Sequence, residues 1–226
     1  MIGSFVIFIA FALASWLISN QLKRRFAAYS LIPTANGMSG KDVAQKMLRD
    51  HGIQGVTIES VQGKLTDHYN PANKTINLSE EVYYGKSVAS AAVAAHECGH
   101  ALQHANAYQW LGLRSSLVPA VSFTSKWMQW VLLAGILLIN TFPAILLAGI
   151  VLFAVTTLFS FITLPVEMNA SNRALAWIGT SGATSSQTQL QAEDALKWAG
   201  YTYLIAALGS LATLLYYIMI FLGRRN

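Results

Sequence analysis

Three histidines and a glutamate stand in an otherwise small, apolar stretch, AAVAAHECGHALQHANA (91–107): His96, Glu97, His100 and His104. His96 and His100 are four residues apart. On an α-helix residues i and i+4 face the same way, one turn apart. Two imidazoles so placed can converge on one ion at the roughly 2.0–2.1 Å that Zn²⁺–N bonds require. Glu97 lies one residue round the helix and can reach a water on that ion without being a ligand itself. This is the His-Glu-x-x-His arrangement of zinc peptidases, which needs a helix to work. A histidine pair merely packed in a polar helix interface would require neither the spacing nor the glutamate. Cys98 is two residues from each histidine, so it points to roughly the other side of the helix and reads as a small packing residue. As the single cysteine it excludes an intramolecular disulfide.

The neighbouring sequence supplies the helix. Ser87 can cap a long Ala-rich run, VASAAVAAHECGHALQHANA. Upstream, SGKDVAQKMLRDHG carries a Ser39…Asp42 capping pattern, apolar Val43, Met47 and Leu48, and a terminating Gly52, and reads as a helix. GVTIESV is rich in β-branched residues and reads as a strand, and KLTDHYNPANKTINLS as two strands around a Pro71-Ala72-Asn73 turn. The polar, turn-rich GTSGATSSQTQ (179–189) reads as an exposed loop.

Around this polar region the chain is strongly apolar. Of 226 residues, 54% are hydrophobic and 11% charged, against about 25% charged in a typical soluble domain. IGSFVIFIAFALASWLIS (2–19) holds no charge and is long enough to cross a hydrocarbon core of roughly 30 Å. MQWVLLAGILLIN (128–140), PAILLAGIVLFAVTTLFSFITL (143–164) and GYTYLIAALGSLATLLYYIMIFLG (200–223) follow, for about four transmembrane helices. The second is short and must extend back past Lys126, which can snorkel, with Trp127 and Trp130 in an interfacial belt. A cleaved signal peptide fits the first segment poorly: Lys23, Arg24 and Arg25 follow the apolar run, and no small-residue cleavage site precedes them. The net charge of +5 is scattered or clustered at membrane edges, so nucleic acid is not an expected partner.

LTDHYNPANKTINLSEEVYYGKSVASAAVAAHECGHALQH, with RSSLVPAV and LPVEMNASNRAL, closely resembles the YugP-like family of bacterial membrane neutral zinc metallopeptidases. The resemblance covers nearly the whole chain, including the order of membrane segments. More distantly, the His-Glu-x-x-His with a later glutamate looks like membrane zinc peptidases of the HtpX and CAAX-processing type. The resemblance implies a mainly α membrane protein with a small α+β zincin-like metallopeptidase domain joined to a helical bundle. The expected division is 1–22, first transmembrane helix; 23–115, zinc domain with its hairpin or small sheet; 116–164, transmembrane hairpin; 165–198, second part of the catalytic domain; and 199–223, last transmembrane helix.

His104 is the obvious third ligand by sequence, but eight residues advance about 12 Å along a straight helix, too far for both imidazoles to meet one ion. Glu167 is the better choice. It stands just beyond the third span, and two spans, an even number, separate it from the zinc helix, which puts both on one face of the membrane. The resemblance to YugP-like and HtpX-type peptidases also places the third ligand there. The HtpX pattern has Asp four residues on, where this chain has Ser171. The expected centre is one Zn²⁺ per chain on His96, His100 and Glu167, with a water in the fourth position whose pKa falls towards about 7. Glu97 is the general base. His68, Tyr69 and Arg173 are candidate donors to the developing oxyanion, although Arg173 can equally bind a neighbouring carboxylate. The first two lie on the hairpin, whose edge can pair with an extended substrate.

The expected function is an integral-membrane zinc endopeptidase, gluzincin-like, acting on a peptide or protein substrate, membrane proteins included. The alternative is a non-catalytic zinc-binding scaffold or transporter-associated protein. Transporters place ionisable residues within their spans, and these spans hold almost none. Lys23, Arg24, Arg25, Arg114, Arg173 and Lys197 favour a bacterial plasma-membrane protein with a cytoplasmic catalytic domain, while Arg224 and Arg225 oppose that orientation.

Overall fold

The structure, a computed structural model, describes residues 2–223. Arg224 and Arg225, the two charges set against the expected orientation, lie outside the described residues. Seven helices and three strands follow in the order α1 (Ile2–Tyr29), α2 (Gly40–Asp50), β1 (Thr57–Val61), β2 (His68–Asn70), β3 (Thr75–Ser79), α3 (Glu80–Tyr83), α4 (Val88–Ala105), α5 (Gln109–Leu137), α6 (Pro143–Ser181) and α7 (Ser186–Gly223).

Local chemistry accounts for the elements around the site. Ser39 and Asp42 form a reciprocal capping box on α2, satisfying two of the N–H groups a helix start leaves open. Gly52 just beyond α2 takes φ +65°, a left-handed conformation that glycine adopts without steric cost. Ser87 caps α4 by accepting from the Ser90 N–H. β2 and β3 pair antiparallel around the Pro71 turn, with Tyr69 opposite Ile76. β1 pairs parallel to β3, giving the order β1-β3-β2 with β2 at an edge.

The chain divides into two compact units. Among the described residues, one comprises 18–111 and 165–201, the other 2–17, 112–164 and 202–223. In the first, the core joins Val43 and Met47 of α2, Ile76 and Leu78 of β3, the alanine-rich α4, and Ala174, Ile178, Ala192 and Leu196 from α6 and α7. In the second, Leu132 of α5 packs with Leu146 and Ile150 of α6. The approach there is close: a Cβ on Gly135 would stand 2.5 Å from the Leu146 Cα, the small-residue packing that membrane helices favour.

Three described helical segments are long and apolar enough to cross a membrane: Val6–Tyr29, Pro143–Ser181 and Ser186–Gly223. The expected second span falls in α5. That helix is 29 residues long, but serines, Arg114, Lys126 and Gln129 dilute its apolar character, and it is not among the three. The expected loop at 179–189 is a correction: α6 runs to Ser181 and α7 starts at Ser186, leaving only 182–185 between them. The serine and threonine there cap rather than uncoil. Ser185 Oγ accepts from the Thr188 N–H, and Thr188 Oγ1 from the Ser185 N–H, which starts α7 early.

Candidate metal centre

α4 is buried along most of its length, from Val88 to Gln103, with only His96 partly exposed in that stretch. Its alanines let neighbouring elements pack close to the helix axis. At Gly99 the approach is closest: a Cβ there would stand 2.5 Å from the Ala170 carbonyl oxygen of α6. Glu167 lies one turn before Ala170, and so faces the histidines.

His96 Nε2 is 3.2 Å from Glu167 Oε2, and His100 Nε2 is 3.7 Å from the same oxygen. The rings lie edge to face, with centroids 4.8 Å apart. Among the described residues these three side chains form the one group of ligand atoms able to hold a metal ion, all within 4.8 Å of one another. The donor set fits zinc. Two imidazole nitrogens and a carboxylate oxygen are a known ligand set of catalytic zinc sites. Donors about 2.0–2.1 Å from a tetrahedral ion stand about 3.4 Å apart, and the two distances to Glu167 bracket that spacing.

The remaining ring nitrogens are held. His96 Nδ1 is 3.1 Å from Ser171 Oγ, so the serine four residues after Glu167 contacts the histidine directly. His100 Nδ1 is 3.0 Å from Gln103 Oε1. Burial opposes the charged form of His100. The Glu167 carboxylate beside it, the negative charge of Glu97 and the Gln103 contact outweigh that cost and raise its pKa above the usual histidine value. Cys98 is fully buried, its thiol pKa pushed well up by desolvation and by Glu97. Its sulfur is not part of the candidate group formed by His96, His100 and Glu167.

Glu97 is 7% exposed and has no hydrogen-bond or ion-pair partner among the described residues. His104 stands outside the ligand group; its Nδ1 is 2.8 Å from the Tyr69 hydroxyl. Burial raises the Tyr69 pKa. His68 is exposed, with Nδ1 2.8 Å from the Thr66 carbonyl and Nε2 3.2 Å from Asn77 Nδ2. Arg173 donates from Nε to the amide oxygen of Asn169, Oδ1, at 2.8 Å. Asn169 Oδ1 also accepts from Gln103 Nε2 at 3.0 Å. Gln103, Asn169 and Gly99 escape a reading of the sequence. The available signal was Gln103 itself, a polar residue three after His100 in an alanine-rich helix.

The chain belongs to the family described as "putative neutral zinc metallopeptidase", whose pattern it matches over residues 4–222. It is 39% identical over 226 residues to the "Putative membrane protease YugP" of Bacillus subtilis (strain 168), covering all of this chain and 99% of that protein. No solved structure matches it.

Proposed function

We propose that the protein is an integral-membrane zinc endopeptidase in which Glu97 is the general base. The observation that carries this is the state of Glu97: 7% exposed, next in sequence to His96, and with no hydrogen-bond or ion-pair partner among the described residues. A glutamate kept for structure would be tied to such a partner. The ligand set points the same way. A structural zinc site is closed by four protein ligands, whereas a catalytic one uses three, the number gathered here.

His96, His100 and Glu167 would hold the ion. Zinc bound there supplies Lewis acidity and a water acidified towards a pKa of about 7. Glu97 accepts the proton of the attacking water and returns it to the leaving amine. The outer edge of β2 carries no strand partner among the described residues, so an extended peptide can pair along it. That edge brings His68 and Tyr69 to the substrate as oxyanion donors. Tyr69 is the better placed, since its hydroxyl meets His104, one turn beyond His100 on α4. Arg173, tied at Nε to Asn169, keeps its other guanidinium nitrogens for a substrate oxygen.

α5 completes a four-span anchor in the bacterial plasma membrane, its lysine reaching the interface. Lys23, Arg24, Arg25, Arg173 and Lys197 all fall within the unit that holds the ligands, and positive charge favours the cytoplasm. Substrates are peptides or proteins, membrane proteins included. The test is hydrolysis of casein and a fluorogenic peptide library by the purified chain, with chelator and then with added Zn²⁺. Activity lost and restored is the expected result. Zinc bound at one per chain without hydrolysis of any peptide would leave a scaffold.

A further inference from the structure

Gln103 is 0% exposed, and both ends of its amide are committed. Nε2 is 2.7 Å from the Val166 carbonyl oxygen and 3.0 Å from Asn169 Oδ1, while Oε1 is 3.0 Å from His100 Nδ1. Two groups in this network cannot change role. The Val166 carbonyl can only accept, and the Arg173 guanidinium can only donate. Because Arg173 Nε donates to Asn169, the Asn169 atom at that point is an oxygen, and Gln103 must donate to it. Val166 makes the same demand from the backbone. Both anchors therefore fix the Gln103 amide with NH₂ towards α6 and oxygen towards His100. An amide oxygen can only accept, so His100 Nδ1 must carry a proton. On the opposite side of the ring, His100 Nε2 is 3.7 Å from Glu167 Oε2, too long for a well-formed hydrogen bond, whereas the Gln103 contact at Nδ1 is 3.0 Å.

We propose that Gln103 is a positioning residue that fixes the neutral His100 ring as its Nδ1–H tautomer, leaving the Nε2 lone pair directed at Glu167. The inference rests on the zinc reading only for its purpose; the tautomer itself is a property of the metal-free chain. Gln103 also grips α6 at Val166 and Asn169, on either side of Glu167, so one side chain orients one ligand and anchors the backbone that carries another. Outer contacts of this kind fix ligand orientation, and their loss typically costs about 10–100-fold in metal affinity.

The experiment uses the full chain in detergent, labelled with ¹⁵N-histidine and freed of metal by chelation, at a pH well above the histidine range. Long-range ¹H–¹⁵N correlations assign His100 by its loss in His100→Gln. The expected wild-type result is Nδ1–H, with Nε2 unprotonated. Gln103→Met should abolish that preference and weaken Zn²⁺ binding, titrated directly, by about 10–100-fold. Gln103→Glu keeps an acceptor facing Nδ1 and should retain the tautomer, even though it loses the donor to Val166. Nε2–H in the wild type overturns the proposal, whether or not the methionine variant folds. So does unchanged Zn²⁺ affinity in a folded Gln103→Met. A chain that shows the Nδ1–H tautomer but binds no Zn²⁺ would sink the zinc reading and leave the tautomer assignment standing.

Discussion

Gly99 meets the backbone of Ala170 so closely that an added Cβ would stand 2.5 Å from its carbonyl oxygen. The helix that carries the histidines and the helix that carries Glu167 are thus in main-chain contact within the motif itself. A methyl group there cannot be absorbed by a side-chain shift, because its neighbour is backbone. Gly99→Ala is expected to cost about 1–3 kcal/mol of stability, the usual range for overpacking, and to lower zinc content by moving Glu167 away from the histidines. At Gly112 in α5 an added methyl would meet nothing within 4 Å, so Gly112→Ala should be neutral or slightly stabilising through helix propensity. Thermal denaturation and zinc analysis of the two proteins side by side check the contrast.

Removing the base should separate chemistry from metal binding. Glu97→Gln keeps the shape of the side chain but cannot take a proton. It is expected to retain about one zinc per chain and to lose at least about 10²–10⁴-fold in turnover, the range for general-base catalysis. Near-wild-type hydrolysis by a clean preparation would refute the role given to Glu97.

The ligand assignment makes a paired claim. Glu167→Ala should sharply lower zinc affinity, because a buried oxygen shared by both histidines is lost. His104→Ala should leave a metal-loaded protein, since His104 meets Tyr69 instead of the ligand group. Metal analysis of both purified variants decides, and zinc kept by the Glu167 variant but lost from the His104 variant would show the wrong ligand was chosen.

What the sequence reveals follows the range of each signal. Capping at Ser39 and Ser87, the β-branched run at β1, the Pro71 turn and the i, i+4 histidines are local patterns, and the structure carries each of them. Glu167 is reached only through membrane topology and family resemblance, since 67 residues separate it from His100. Gln103 and Gly99 escape notice, although both lie within or beside the motif. Their roles exist only once α6 lies against α4, and no spacing within α4 encodes that contact. The Gly179–Gln189 stretch misleads for a related reason. Ser and Thr favour turns and helix caps alike, and here Ser185 and Thr188 cap.

On the proposed ligand set, zinc and protons compete for His100. In the metal-free protein its pKa lies above the usual value of about 6.5, and zinc binding requires the ring to release its Nε2 proton. Above the raised pKa that proton is already absent and affinity is level with pH. Below it each bound zinc displaces one proton from His100, so affinity should fall by about tenfold per pH unit. The decline therefore begins at a higher pH than an unperturbed histidine would give. Zinc titrations across neutral and mildly acidic pH measure this, with His104→Ala expected to leave the profile unchanged. A profile that stays level down to the ordinary histidine pKa would contradict the raised value.

Orientation in the membrane can be read from a single thiol. Cys98 is the one native cysteine and is buried, so a cysteine introduced on the surface is the only group a thiol reagent should reach. Gln187 is exposed at the start of α7, within the unit that holds His96, His100 and Glu167. The positive charges of that unit favour a cytoplasmic placement. Gln187→Cys is therefore expected to resist an impermeant maleimide in intact cells and to react once the membrane is permeabilised. The cysteine-free control, Cys98→Ala, should stay unlabelled in both conditions. Modification of Gln187→Cys in intact cells would put the candidate active site on the outer face, and with it every substrate the protein could meet.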